Sequence, residues 1–106
     1  MDKSIAPSTP LADLVQYQPD SIVSRTLLNR QTGTVTLFAF ARGQALSEHT
    51  TPFDALLQVI DGEAEVTIAG QAFRVRAGEI ISLPANQPHA VTAREDFKMM
   101  LMMIRS

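Results

Sequence analysis

Leu56-Leu57-Gln58-Val59-Ile60-Asp61-Gly62-Glu63-Ala64-Glu65-Val66-Thr67-Ile68-Ala69-Gly70-Gln71-Ala72-Phe73-Arg74-Val75-Arg76-Ala77-Gly78 is the stretch that decides the fold class. A short apolar run closes at Asp61-Gly62, a dipeptide suited to a tight turn. Glu63 to Ile68 then alternates, with Ala64, Val66 and Ile68 on one face and polar residues opposite. Ala69-Gly70-Gln71 turns the chain back, Phe73, Val75 and Ala77 alternate with Arg74 and Arg76, and Ala77-Gly78 makes the next turn. A period of two broken by hairpin punctuation predicts antiparallel strands.

The same pattern spreads in both directions. Thr34 to Phe40 is rich in β-branched and aromatic residues between Gly33 and Gly43. Downstream, Ile80 to Leu83 reads as a strand ended by Pro84 and the loop Ala85-Asn86-Gln87-Pro88, and strands fit Ala90 to Ala93 and Phe97 to Ile104. No helical stretch of ordinary length competes. Residues 1–20 differ: Pro7, Pro10 and Pro19 punctuate them, and Leu11, Leu14 and Val15 have the spacing of one amphipathic helical turn. The expectation is a lead-in segment over 1–20, packed loosely on a domain over 21–106. Many short strands joined by Gly, Asp-Gly and Pro turns predict an all-β fold, a small antiparallel β-barrel, closed or nearly so because closure removes exposed edges.

The last strand does not alternate. Phe97, Met99, Leu101 and Met103 fall on one face, and Met100, Met102 and Ile104 on the other. Either the strand is central and covered twice within the domain, or its second face meets another subunit. The methionines and the small size of the barrel favour a homodimer.

With 106 residues the chain is one domain, and 45% apolar against 19% charged residues excludes disorder as a description of the whole. A net charge of -2 without a basic stripe argues against nucleic-acid binding. The absence of cysteine excludes disulfides, a Cys nucleophile, thiolate zinc sites and iron–sulfur clusters. Met1-Asp2-Lys3-Ser4 does not open a signal peptide, and the run Met99 to Ile104 falls far short of the roughly 20 residues of a membrane helix. A cytoplasmic location away from the membrane is therefore expected.

The two histidines are the countable clue. His49 lies in Gly43-Gln-Ala-Leu-Ser-Glu-His49-Thr50-Thr51-Pro52, and His89 in Gly78-Glu-Ile-Ile-Ser-Leu-Pro84-Ala-Asn-Gln-Pro-His89. With these spacings the chain, from about Ser21 to Ile104, resembles the cupin superfamily, in particular its small stand-alone bacterial members. The family's first motif, Gly-x5-His-x-His-x3,4-Glu-x6-Gly, is matched by Gly43, His49 and Gly62, with Thr51 and Ala55 at the second His and the Glu places. The second, Gly-x5-Pro-x-Gly-x2-His-x3-Asn, is matched by Gly78, Pro84 and His89, with Asn86 and Ala93 in place of the Gly and the Asn. The resemblance implies a jelly-roll barrel, the double-stranded β-helix, with a metal site of three His and one Glu. Residue by residue, only His49 and His89 carry over to this chain.

Two neutral imidazoles bring no charge to offset a divalent ion. Waters, the Thr51 oxygen or a ligand's own carboxylate could complete a shell around Zn, Ni, Fe, Cu or Mn. Asp54, Gln58 and Glu48 all have the wrong strand parity to stand in, unless a bulge re-aims them. The histidines are thus metal ligands, acid/base or anion-binding groups in a metal-free pocket, or hydrogen-bonded vestiges. Ser47 and Ser82 lack an activating arrangement, Asn86 reads as a turn residue, and Glu63 and Glu65 read as solvated surface charge. The expected pocket is lined by His49, Thr51, Leu57, Val59, Pro84 and His89. The leading functional reading is a small-molecule-binding or sensing barrel, metal optional. The alternatives are a metal-dependent dioxygenase or isomerase built on a two-His centre, and an interaction protein with a vestigial pocket.

Overall fold

The computed structural model describes residues 8–105. The first seven residues of the expected lead-in, including the stretch Met1 to Ser4 read against a signal peptide, lie outside it, as does Ser106. A 3-10 turn at Leu11–Leu14 is followed by nine strands among the described residues: β1 Ile22–Arg30, β2 Gly33–Phe40, β3 Ala45–His49, β4 Asp54–Asp61, β5 Glu63–Ile68, β6 Gln71–Arg76, β7 Ile80–Leu83, β8 His89–Thr92 and β9 Phe97–Ile104. They form two antiparallel sheets, ordered β1-β2-β9-β4-β7 and β3-β8-β5-β6. The result is a jelly-roll barrel flattened into two layers. Its ladders end at β1 and β7 in one sheet and at β3 and β6 in the other, so closure is by packing rather than by a continuous hydrogen-bonded wall.

Inside, alternate residues of both sheets meet. Phe40 and Phe97 are fully buried and stack with ring centroids 4.5 Å apart. Leu57, Val59 and Met99 of the larger sheet and Ala64, Val66, Val75 and Val91 of the smaller complete the same core. The register places Val59 opposite Met99 and Val66 opposite Val91, so each buried row runs across neighbouring strands.

β9 has β2 and β4 as neighbours, and both of its faces are used. Its inner face enters the main core. Its outer face meets a second cluster in which Leu14 and Val15 cover Leu37 and Ala39, with Met100 and Ile60 packed against them. The segment after Pro10 is therefore an integral layer, in contrast to the loose packing expected for the lead-in. Lys98, buried on this outer face, donates from Nζ to the Ala12 carbonyl at 2.6 Å and lies 4.9 Å from the centre of the Tyr17 ring. Tyr17 in turn donates its hydroxyl to Asp61 Oδ2. Burial, then that hydrogen bond and the charge of Asp61, hold the phenol above its ordinary value, so it stays protonated and keeps donating. Lys98 thus fastens the segment to the sheet, and Arg25 of β1 adds a second tie, donating from Nη1 to the Leu14 carbonyl at 3.0 Å.

β1 and β3 are the strands whose bounds the pattern least defines. β1 carries a register shift between Thr26 and Leu28, and β3 is exposed along most of its length. No helix among the described residues is long and apolar enough to cross a membrane.

Gly62, in the β4–β5 turn, has φ +72°, and a Cβ there would run into the Asp96 carbonyl and Phe97. Gly70, at φ +83°, faces open space. Gly70→Ala should therefore cost only the left-handed backbone penalty of ~1 kcal/mol. Gly62→Ala adds a clash with backbone and should cost about 2–4 kcal/mol. Urea unfolding of both variants measures the difference, and equal costs would remove the steric account.

Candidate functional site

His49 ends β3 and His89 begins β8, and the two are direct cross-strand partners. Their rings meet edge to face with centroids 4.4 Å apart. This meeting depends on a bulge. Leu46 pairs with Val91 and His49 with His89, so three steps along β3 match two along β8. Without the extra residue, Leu46 and His49 would fall on opposite faces. With it, Leu46 packs against the main core and His49 turns to His89. The next strand over, β5, sets Ile68 beside His89.

Each imidazole is oriented by the backbone two residues before it. His49 Nδ1 lies 2.9 Å from the Ser47 carbonyl and His89 Nδ1 lies 3.2 Å from the Gln87 carbonyl. A carbonyl only accepts, so both Nδ1 atoms carry a proton, and in a neutral ring held this way Nε2 is the acceptor. His89 is 7% exposed, and burial pushes its imidazole below the ordinary value; the hydrogen bond to Gln87 works against this, and the neighbouring His49 reinforces it. At neutral pH His89 is a neutral acceptor. His49 is exposed and open to solutes.

The other expected pocket residues divide. Leu57 and Val59 are 0% exposed and packed in the main core cluster, so they offer no surface to a ligand, a correction to the expected lining. Thr51 lies close to the loop after Pro84, its carbonyl accepting the Asn86 N–H at 2.7 Å. Its Oγ1 donates to the Phe53 carbonyl at 3.2 Å, a local turn contact. Pro84 lines a cleft of about 480 Å³ with Ile68, Phe73, Ile81, Ser82 and Gln87, at the seam between β6 and β7. Asn86 has φ +66°, the geometry of a turn residue. The sequence reading passed over Ser47 and Gln87 because they act through main-chain oxygens. The shared step of two from each carbonyl to its histidine was the available sign.

The stand-in ligands stay away despite the bulge. Asp54 Oδ1 accepts from the Ala85 N–H at 2.8 Å, and Gln58 pairs with Ile80 and Met100 on the outer side of its sheet. Glu48 is exposed. Among the described residues, no three His, Cys, Asp or Glu side chains gather where they could hold a metal ion. Glu63 pairs with Arg74 and Arg76, and Glu65 with Arg94, on the exposed side of the smaller sheet.

A two-layer antiparallel jelly roll with paired histidines between β3 and β8 defines a class of small barrel proteins. The comparisons place it further: residues 36–105 match the family model for the cupin domain, and the chain belongs to that family. It is 37% identical to a conserved protein of unknown function from Streptococcus pyogenes (TM-score 0.91, covering 95% of this chain and 89% of that one). It is 42% identical to a cupin 2 conserved barrel domain protein from Leptotrichia buccalis (TM-score 0.87, 90% of this chain and 46% of that one). A cupin superfamily protein from Desulfitobacterium hafniense is 27% identical (TM-score 0.91, 95% and 93%). No match is found among curated proteins. Metal ions are common in this fold, but the donor set here does not fit a resident one. Two neutral nitrogens leave a divalent ion short of ligands and of charge.

Because the folded chain holds His89 below the ~6.5 of an unfolded imidazole, the unfolded state takes up the proton first. The contribution of neutral His89 is fully present above about pH 6.5 and is lost as the pH falls towards the lower folded value. His89→Leu should flatten the pH dependence of unfolding free energy below pH 6.5, and an unchanged slope would assign it to other groups.

Proposed function

We propose that this chain is a small-molecule-binding barrel whose ligand docks on His49 and His89, with a metal ion optional. The observation that carries this reading is the common orientation of the two imidazoles. Both Nδ1–H groups are committed to backbone carbonyls, which leaves Nε2 of each ring as the nitrogen open to a ligand. A vestigial pair would not need both rings held in the same tautomer by the same device. The neutral acceptor at His89 favours a ligand that brings hydroxyl or N–H donors, which a bare carboxylate lacks. The Gln87 turn that orients His89 also borders the cleft at the β6–β7 seam, which gives an apolar part of the ligand a place to lie.

The test is a thermal-shift panel of small polyols, sugars and hydroxy acids, run with and without EDTA on the wild type and on His49→Ala. Stabilisation by a polyol or sugar that persists in EDTA and disappears in His49→Ala is the expected result. A panel in which no compound distinguishes the two proteins would overturn the reading.

We also propose that two copies associate through the outer face of the larger sheet. The N-terminal layer covers only part of that face. Beyond it Leu56, Ile80 and Ile104 are 43%, 55% and 58% exposed, with Met102 directly opposite Leu56. Gln58 and Ser82 on this side are uncharged, and Asp54 at the margin is bonded to the Ala85 N–H. Two copies related by a two-fold axis would meet there without facing like charges. Light scattering should give twice the 11.6 kDa chain mass, and Leu56→Glu should halve it. A wild-type monomer at micromolar concentration would rule the dimer out.

A further inference from the structure

The outer face of the smaller sheet carries a run of charge that the histidine site does not use. Arg74 and Arg76 leave β6 on the side opposite the buried Val75, and Glu65 and Glu63 lie directly across from them on β5. Arg94, just beyond β8, reaches Glu65 from the other side. The ion pairs spend the carboxylates fully. Glu63 gives one oxygen to Arg74 Nε and the other to Arg76 Nε, both at 3.2 Å. Glu65 gives its two oxygens to Arg94 Nε and Nη2 at 2.7 and 3.3 Å. Three guanidiniums over two carboxylates leave one positive charge on this face, although the chain as a whole is at -2.

The cations also lie outermost. The side chains of Arg74 and Arg94 are 64% and 77% exposed, against 32% and 28% for Glu63 and Glu65. Because each carboxylate takes hold of an Nε edge, the Nη donors of Arg74 and Nη1 of Arg94 are left for a ligand. Both arginines border one hollow of about 380 Å³, whose lining includes Glu63, Glu65 and the small side chain of Ala72. A concavity of that size suits a small molecule.

We propose that Arg74 and Arg94 bind the phosphoryl group of a small phosphomonoester in this hollow, with Glu63 and Glu65 as the residues that hold the two guanidiniums in place. A carboxylate has two oxygens and fills one guanidinium fork, whereas a phosphoryl group has three and accepts from two forks at once. Arg76, held by the same Glu63, supplies the surplus charge. A long polyanion fits less well, since its further charges would meet a surface that is negative overall. None of these charged residues belongs to the histidine pair, so the site stands whether or not that pair takes a ligand.

Titration of the ¹⁵N-labelled full chain with glycerol 3-phosphate tests this, in phosphate-free buffer at constant ionic strength, read from backbone amide and arginine Nε–H signals. The expected result is saturable shifts at Arg74, Arg94 and the β5 residues between them, with a Kd on the order of 1 mM. Inorganic phosphate should reproduce them and acetate should not. Arg74→Gln and Arg94→Gln should each weaken binding about fivefold or more. Arg74→Lys should weaken it too, because lysine keeps the charge without the fork. Arg30→Gln, which removes the same charge from β1 in the other sheet, should change it by less than about twofold. All three positions are exposed, so the variants should keep the wild-type fold by circular dichroism. Shifts that fail to saturate, that acetate matches, or that survive substitution of both Arg74 and Arg94 would overturn the proposal. So would shifts confined to His49 and His89, or tighter binding of a hexaglutamate peptide than of glycerol 3-phosphate.

Discussion

Phe97, Met99, Leu101 and Met103 leave one side of β9 while Lys98, Met100 and Met102 leave the other, so apolar surface has to be covered on both sides of a single strand. The strand order answers this by setting β9 between β2 and β4, with the second sheet against its inner face. The chain's own segment around Leu14 and Val15 lies against part of the outer face. Much of the rest follows from that demand. The Phe40–Phe97 stack belongs to the inner cover, and the Lys98–Ala12 and Tyr17–Asp61 hydrogen bonds fix the outer one. A buried ammonium is costly unless it is partnered. Lys98 meets that requirement with a carbonyl and an aromatic face, and so ties the position of the N-terminal layer to the middle of the sheet.

Strands marked by alternation or by turn residues were legible in the amino-acid order. Glu63–Ile68 occurs with the bounds expected from its alternation, and Ile80–Leu83 and Phe97–Ile104 with the bounds expected although neither alternates cleanly. β3 was not delimited, because an edge strand exposed along most of its length has no buried face to enforce a pattern. The tight seating of residues 11–15 was also hidden, since three prolines and a short turn read as a surface connection. What fixes that segment includes Lys98 and Arg25, each donating to one of its carbonyls, and a cation in a strand gives no sign of which carbonyl it will find.

At the site, the sequence pointed to both histidines but misjudged the walls. Leu57 and Val59 share a strand face with Ala55, and parity alone turns them inward. Parity cannot tell a lumen from a packed interior, and here the facing side chains fill the space. The tautomers depend on main-chain oxygens, which no residue identity announces. A bulge was considered only for re-aiming Asp54, Gln58 or Glu48. The one in β3 turns His49 to His89 instead.

That bulge also works as a selector. Along β3, Leu46 and Glu48 share parity, whereas Leu46 and His49 do not. A regular ladder from Leu46 would set a carboxylate next to His89, and the inserted step sets an imidazole there. The chemistry offered at the mouth of the barrel is therefore written in the spacing of the backbone as much as in the choice of side chain. Gain of one residue between Leu46 and Glu48, with the bulge kept, would set Glu48 beside His89 and exchange an imidazole for a negative charge without altering any residue of the core, whereas loss of one residue with the bulge smoothed out would keep His49 there. In a lineage of such barrels, a single codon inserted in this edge strand is a short route between sites of different ligand preference.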